Sequence, residues 1–80
     1  MNALFDVEMP ILETTVKVNE ISEYNIRLVE KATIRPFIVA MELNVQGSIQ
    51  GKESYSFEME SDATLFYENF VEQKKMQVSR

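Results

Sequence analysis

From Phe37 to Gln46 the chain alternates. Phe37, Val39, Met41, Leu43 and Val45 occupy every second position, and Glu42, Asn44 and Gln46 fall between the later ones. Successive side chains of a strand point to opposite faces, so this pattern predicts a strand with one buried face and one wet face. Ile38 and Ala40 interrupt the polar side near its start, so that end is expected to be covered on both sides. Such a strand needs paired neighbours and an apolar layer to lie against, and the rest of the chain supplies candidates for both.

Residues 54–60 read as its partner, with Tyr55, Phe57 and Met59 on one side and Ser54, Ser56, Glu58 and Glu60 on the other. Apolar faces must coincide, because a slip of one residue moves every side chain to the wrong face. Pairing Val45 with Met59 and Ile49 with Tyr55 satisfies this condition. It sets Gly47 opposite Phe57, where an aromatic ring covers a strand glycine, and leaves Gly51-Lys52-Glu53 as the loop tip. The second face of this hairpin is then polar. Upstream, residues 11–19 alternate Leu12, Thr14, Val16 and Val18 with Glu13, Thr15, Lys17 and Asn19, which predicts another strand. Residues 20–32 fit two patterns. Tyr24, Ile26 and Leu28 alternate, while Ile21, Tyr24, Leu28 and Ala32 form a helical stripe; the strand is preferred because Thr33 and Pro36 then make a turn. Residues 1–10 read either as an edge strand ending at Pro10 or as an arm.

The last element reads as a helix over residues 62–76, capped by Ser61 or Asp62. Ala63, Phe66, Tyr67, Phe70 and Val71 form an aromatic stripe at spacings of three and four, suited to cover the sheet. Asp62 sits at the positive end of the helix dipole and Lys74 and Lys75 at the negative end. Residues 77–80 read as a frayed tail. The expected fold is α+β: a three- to four-stranded antiparallel sheet with one C-terminal helix packed on one face, and all 80 residues in a single small domain.

The chain contains no Cys and no His. Disulfides and thiolate chemistry are excluded, and so are the commonest general base and the commonest transition-metal ligand. Gly47-Ser48-Ile49-Gln50-Gly51 lacks the spacing of a phosphate-binding loop. Glu58 and Glu60 are a carboxylate pair separated by about 6.6–6.8 Å along a strand. Acid–base work would require a cleft that raises one pKa, and a domain with so small a core has little room for one. Carboxylates without His suit Ca²⁺ or Mg²⁺ at most, and no Asp-x-Asp-x-Asx-Gly loop is present. No cofactor, metal or catalytic residue is expected, and an enzyme is the least favoured reading.

No stretch reaches the ~18–20 apolar residues that cross a bilayer, and the first residues carry no basic leader. Both point to a soluble protein of the cytoplasm, the cytoplasm of an infected host cell included. The net charge of −5 argues against nucleic acid or an anionic membrane as direct partner. Residues 1–52 hold seven acids and five bases, whereas residues 53–72 hold Glu53, Glu58, Glu60, Asp62, Glu68 and Glu72 and no base. With the hairpin drawn above, Glu58 and Glu60 share an open strand face, and Glu68 and Glu72 share a helix edge.

These six acids are the candidate partner-binding residues. They point to a non-enzymatic protein-binding domain: a small acidic inhibitor or adaptor that occupies a basic or nucleic-acid-binding surface of a larger protein, as a nucleic-acid mimic does. Small phage-encoded inhibitors share this profile by type alone, and no motif is long enough to carry a family resemblance. The alternative is a homo-oligomeric assembly protein, a dimer or larger. Leu4, Phe5, Ile11, Ile34 and Ile38, which the helix does not obviously use, would supply its contacts.

Overall fold

The computed structural model describes residues 8–78, and its element order follows the alternation and the terminal stripe. Strands β1 (Glu8–Lys17), β2 (Ser22–Lys31), β3 (Phe37–Val45) and β4 (Ser48–Phe57) precede helix α1 (Glu60–Val78). The strands form one antiparallel sheet in the order β1-β2-β3-β4. Each strand pairs with its predecessor, so every connection is a short hairpin. The helix lies on one face of this sheet. The 20–32 segment is therefore a strand and not a helix. The expectations for Leu4 and Phe5, and for the rest of residues 1–7, lie outside the described residues.

The strand parities divide the sheet cleanly. Tyr24, Ile26 and Leu28 of β2 stand beside Leu43, Met41 and Val39 of β3 on the helix side, with Val16 and Leu12 of β1 in the same rows. Ile26, Leu28 and Val39 are at most 1% exposed, and with Val16, Met41, Ala63, Tyr67 and Val71 they form the core. Ala63, Tyr67 and Val71 recur every four residues and therefore share one helix face. Phe66 flanks that stripe and packs on Tyr55 and Phe57 of β4, with ring centroids 4.8 and 5.3 Å away. On the other flank, Tyr67 hydrogen-bonds through its hydroxyl to the Thr14 hydroxyl of β1. The helix is thus held at both sheet edges. Lys74 sits over the Tyr24 ring at 4.8 Å, a cation–π contact that also seats the last turns.

The register of the last hairpin differs from the expected one. Val45 pairs with Ser48, and the turn is Gln46-Gly47. Both turn residues have positive φ, 52° and 83°, the signature of a type I′ turn, whose twist matches that of the flanking strands. Tyr55 consequently faces Val39 and not Ile49, Met59 pairs with nothing on β3, and Phe57 faces Phe37 and not Gly47. Gly51-Lys52-Glu53 is strand, not loop tip. For Tyr55 and Phe57 the expected and observed partners are ten residues apart, an even number, so both registers keep these rings on the apolar face; parity alone does not choose between them. The two-residue turn does. A bulge between Leu43 and Asn44 then adds Gln50 to β4 and turns Ile49 onto the side away from the helix.

β1 carries a second bulge at Ile11, between Pro10 and Leu12, and runs from Glu8, three residues earlier than its alternation implies. Asn19 closes the β1–β2 loop by accepting the Ile21 backbone N–H on its side-chain oxygen at 3.0 Å, an Asx turn. The helix starts two residues early. The Ala63 N–H donates to the Met59 carbonyl at 3.2 Å, so Met59 occupies the cap, and Ser61 and Asp62 lie inside the first turn. There Glu60 and Asp62 serve the dipole rather than the cap. The helix extends through Gln77 and Val78, beyond its expected end at residue 76.

Candidate functional site

The six acidic residues singled out in the sequence are all exposed, and the fold distributes them over three places. Glu53 stands on edge strand β4, opposite Met41, and accepts a hydrogen bond from the Tyr55 hydroxyl at 2.5 Å. That bond, with slight desolvation and the charge of Glu53, raises the Tyr55 phenol above its ordinary value. Glu58, Glu60 and Asp62 cluster where β4 turns into α1. Glu58 lies in the bend after the strand and Glu60 is the first helical residue, so the two do not share an open strand face. The even-spaced strand drawn through them ends at Phe57.

Glu68 and Glu72 lie one turn apart on α1. At about 100° per residue they sit roughly 100° and 140° around the helix from the buried Tyr67, on its outer side. Asp62 lies about 140° round in the opposite sense, and about 15 Å from Glu72 along the axis. The acids thus lie in three groups: Glu53 on β4, Glu58, Glu60 and Asp62 at the junction, and Glu68 and Glu72 on the helix flank away from Phe66 and β4. With a Debye length of about 8 Å at physiological ionic strength, acids within one group act together, whereas the groups act separately.

Among the described residues no helix lies on the opposite face of the sheet. Parity places Glu8, Glu13 and Lys17 of β1 there, with Glu23, Arg27 and Lys31 of β2, Glu42 of β3 and Lys52 of β4. Opposite signs face one another across strands: Glu8 with Lys31, an ion pair at 3.3 Å, then Glu13 with Arg27, Lys17 with Glu23, and Glu42 with Lys52. The Thr15 hydroxyl donates to the Asn25 side-chain oxygen at 3.0 Å in the same layer. Among the described residues this face therefore holds four acids and four bases. Residues 8–78 hold 12 acids and seven bases, so the eight acids and three bases off this face carry an excess of −5.

The open face is not wholly polar. Val29 lies between Pro10 and Ile38 in one row and is only 3% exposed, and Ala40 follows Ile38 along β3. Over these residues lies a hollow of about 330 Å³, bordered by the charged residues Glu8, Arg27, Lys31, Glu42, Lys52 and Glu53. Sequence reasoning recognised Ile38 and Ala40 as an interruption but did not identify the surrounding charges as a set. The available signal was the alternation of β2, whose polar positions Glu23, Asn25, Arg27 and Lys31 enclose the single apolar Val29. Ile34, at the β2–β3 turn, is 89% exposed, while Ile11 packs against the core.

Among the described residues no group of three or more His, Cys, Asp or Glu side chains is arranged to hold a metal ion. None of the helices among them is long and apolar enough to cross a membrane. No protein-family model matches the chain, no curated protein matches it, and no solved structure matches its fold.

Proposed function

We propose that the chain is a non-enzymatic protein-binding domain that docks on a basic surface of a larger protein, using Glu58, Glu60 and Asp62 at the junction, Glu68 and Glu72 on the outer helix, and Glu53 on β4. The observation that carries this reading is the separation of charge. Among the described residues the open sheet face is neutral, and their acidic excess lies off it. A basic groove would be attracted to the junction and outer helix, and complementary charge there raises the rate of encounter and selects the partner. Glu58, Glu60 and Asp62 reach such a groove from a bend and a first helical turn. Glu68 and Glu72 reach it from a rigid helix anchored by the Phe66 and Tyr67 contacts. A surface that binds nucleic acid is basic for the same reason, so an inhibitor that covers it belongs to this class.

The test is affinity capture from the producing cell with the full chain as bait, followed by titration of the captured partner. Each reversed charge exchanges an attraction of about 0.5 kcal/mol for a repulsion of similar size, so Glu68→Lys with Glu72→Lys weakens binding by about 2 kcal/mol, roughly 30-fold. The salt dependence of affinity falls with it. A partner bound equally well by the doubly reversed chain removes the electrostatic basis of the proposal.

A further inference from the structure

We propose that the open sheet face is a self-association surface, on which a second copy of this chain stacks the same face across a two-fold axis. A two-fold contact is isologous: one patch must complement itself. On a chain of net charge −5 most of the surface repels its own copy. The open face is the exception. Its four acids and four bases interleave, so turning it onto itself brings both signs against both signs. The same neutrality makes it a poor landing site for a basic partner, which selects the second copy as occupant.

The arrangement of the face agrees with this. Its centre is apolar, formed by the half-buried Ile38 and Ala40 beside the already covered Val29, and its rim is charged, which is the anatomy of a protein–protein contact. Ala40 is the smallest side chain in its row with Arg27, and the hollow above it gives a facing side chain room to enter. Four strands about 4.8 Å apart and about 30 Å long present a face of roughly 570 Å². Two such faces cover a little over ~1,000 Å², at the low end for specific contacts, so the dimer is reversible. Stacked antiparallel sheets pack about 10 Å apart with their strands within about 30° of alignment. Glu53 borders the hollow, but Glu58, Glu60, Asp62, Glu68 and Glu72 stay free in this dimer, so the inference stands or falls apart from the docking proposal.

Sedimentation equilibrium of the full chain over a range of concentrations tests it. The expected mass rises toward twice 9.3 kDa with concentration, and the association persists at high salt, since apolar burial is not screened. Ala40→Lys and, separately, Ile38→Lys bury a charge at the centre and weaken association by roughly tenfold or more. Both leave the far-ultraviolet circular dichroism unchanged; if one variant unfolds, the other supplies the answer. Glu68→Lys with Glu72→Lys leaves the dimer intact. A chain that stays monomeric up to about 1 mM, where even an association of about −4 kcal/mol registers, overturns the inference. So does a dimer that both folded central substitutions leave unchanged.

Discussion

Replacing each of the two glycines by alanine distinguishes the observed hairpin from the one the alternation first suggests. Gly47 has φ of +83° and no atom within 4 Å of where a Cβ would stand. Alanine meets no clash there, so the cost is that of holding an L residue in left-handed backbone, about 1–2 kcal/mol. Gly51 lies in β4 without positive φ, and its added Cβ meets Leu43 Cβ at 3.9 Å, an ordinary contact. Alanine there restricts the unfolded chain at no folded-state cost and contributes about 0.4–1 kcal/mol. The two variants should therefore differ by about 2 kcal/mol, a large share of the roughly 4–12 kcal/mol that about 0.05–0.15 kcal/mol per residue provides. With a urea slope near ~1 kcal/mol/M for so small a chain, their unfolding midpoints separate by about 2 M, Gly51→Ala being the more stable. Equal slopes would show that stability alone has changed. A register with Gly51-Lys52-Glu53 at the tip reverses the order, so a Gly51→Ala variant less stable than Gly47→Ala would refute the hairpin described above.

Three further outcomes follow from the packing. Tyr67→Phe leaves the partly buried Thr14 hydroxyl without its helix partner and should cost about 0.5–1.5 kcal/mol in urea unfolding. Ala63→Leu drives a larger side chain into a position with no exposed surface, lifts the helix from the sheet and should cost about 1–3 kcal/mol. Glu53→Gln should return the Tyr55 phenol toward its ordinary value in an ultraviolet titration, because the Glu53 carboxylate is the main cause of its rise. The sign for stability follows from that rise. The Tyr55–Glu53 contribution is fully present below the unfolded phenol's pKa and is lost as pH climbs through the folded one. The wild type should therefore lose stability on the alkaline side relative to Glu53→Gln.

The legibility of this fold depended on what each signal encodes. Alternation in β3 marked which side chains face the core, and the helix stripe from Ala63 to Val71 marked the layer that covers them. Both rest on burial, which a single strand or helix records along its own length. Register is a relation between two strands, and the slip that moves Tyr55 from Ile49 to Val39 and Phe57 from Gly47 to Phe37 is even, so both rings stay on the apolar face. The turn that selects between them is Gln46-Gly47, in which a Gln accepts φ of 52°, whereas Asn or Asp gives the stronger signal. Bulges at Ile11 and Gln50 hide from alternation for the same reason, since each inverts the pattern beyond it.

The acidic residues were visible as a run from Glu53 to Glu72, but their placement depended on where β4 ends. An alternation that continued through Glu58 and Glu60 drew them onto a strand, whereas the chain bends after Phe57. The neutral open face was harder to see because its members come from four strands, and only their pairing brings Arg27 beside Glu13 and Lys52 beside Glu42.

The division of charge between the two sides of the sheet is tested most directly by a residue-resolved nuclear magnetic resonance titration of the isotope-labelled chain with a short oligolysine peptide. Amide shifts should appear from Glu58 to Glu72 and at Glu53, fade with added salt, and leave Arg27, Ile38, Ala40 and Lys52 unmoved. Shifts centred on those four residues, or spread evenly over both faces, would contradict it.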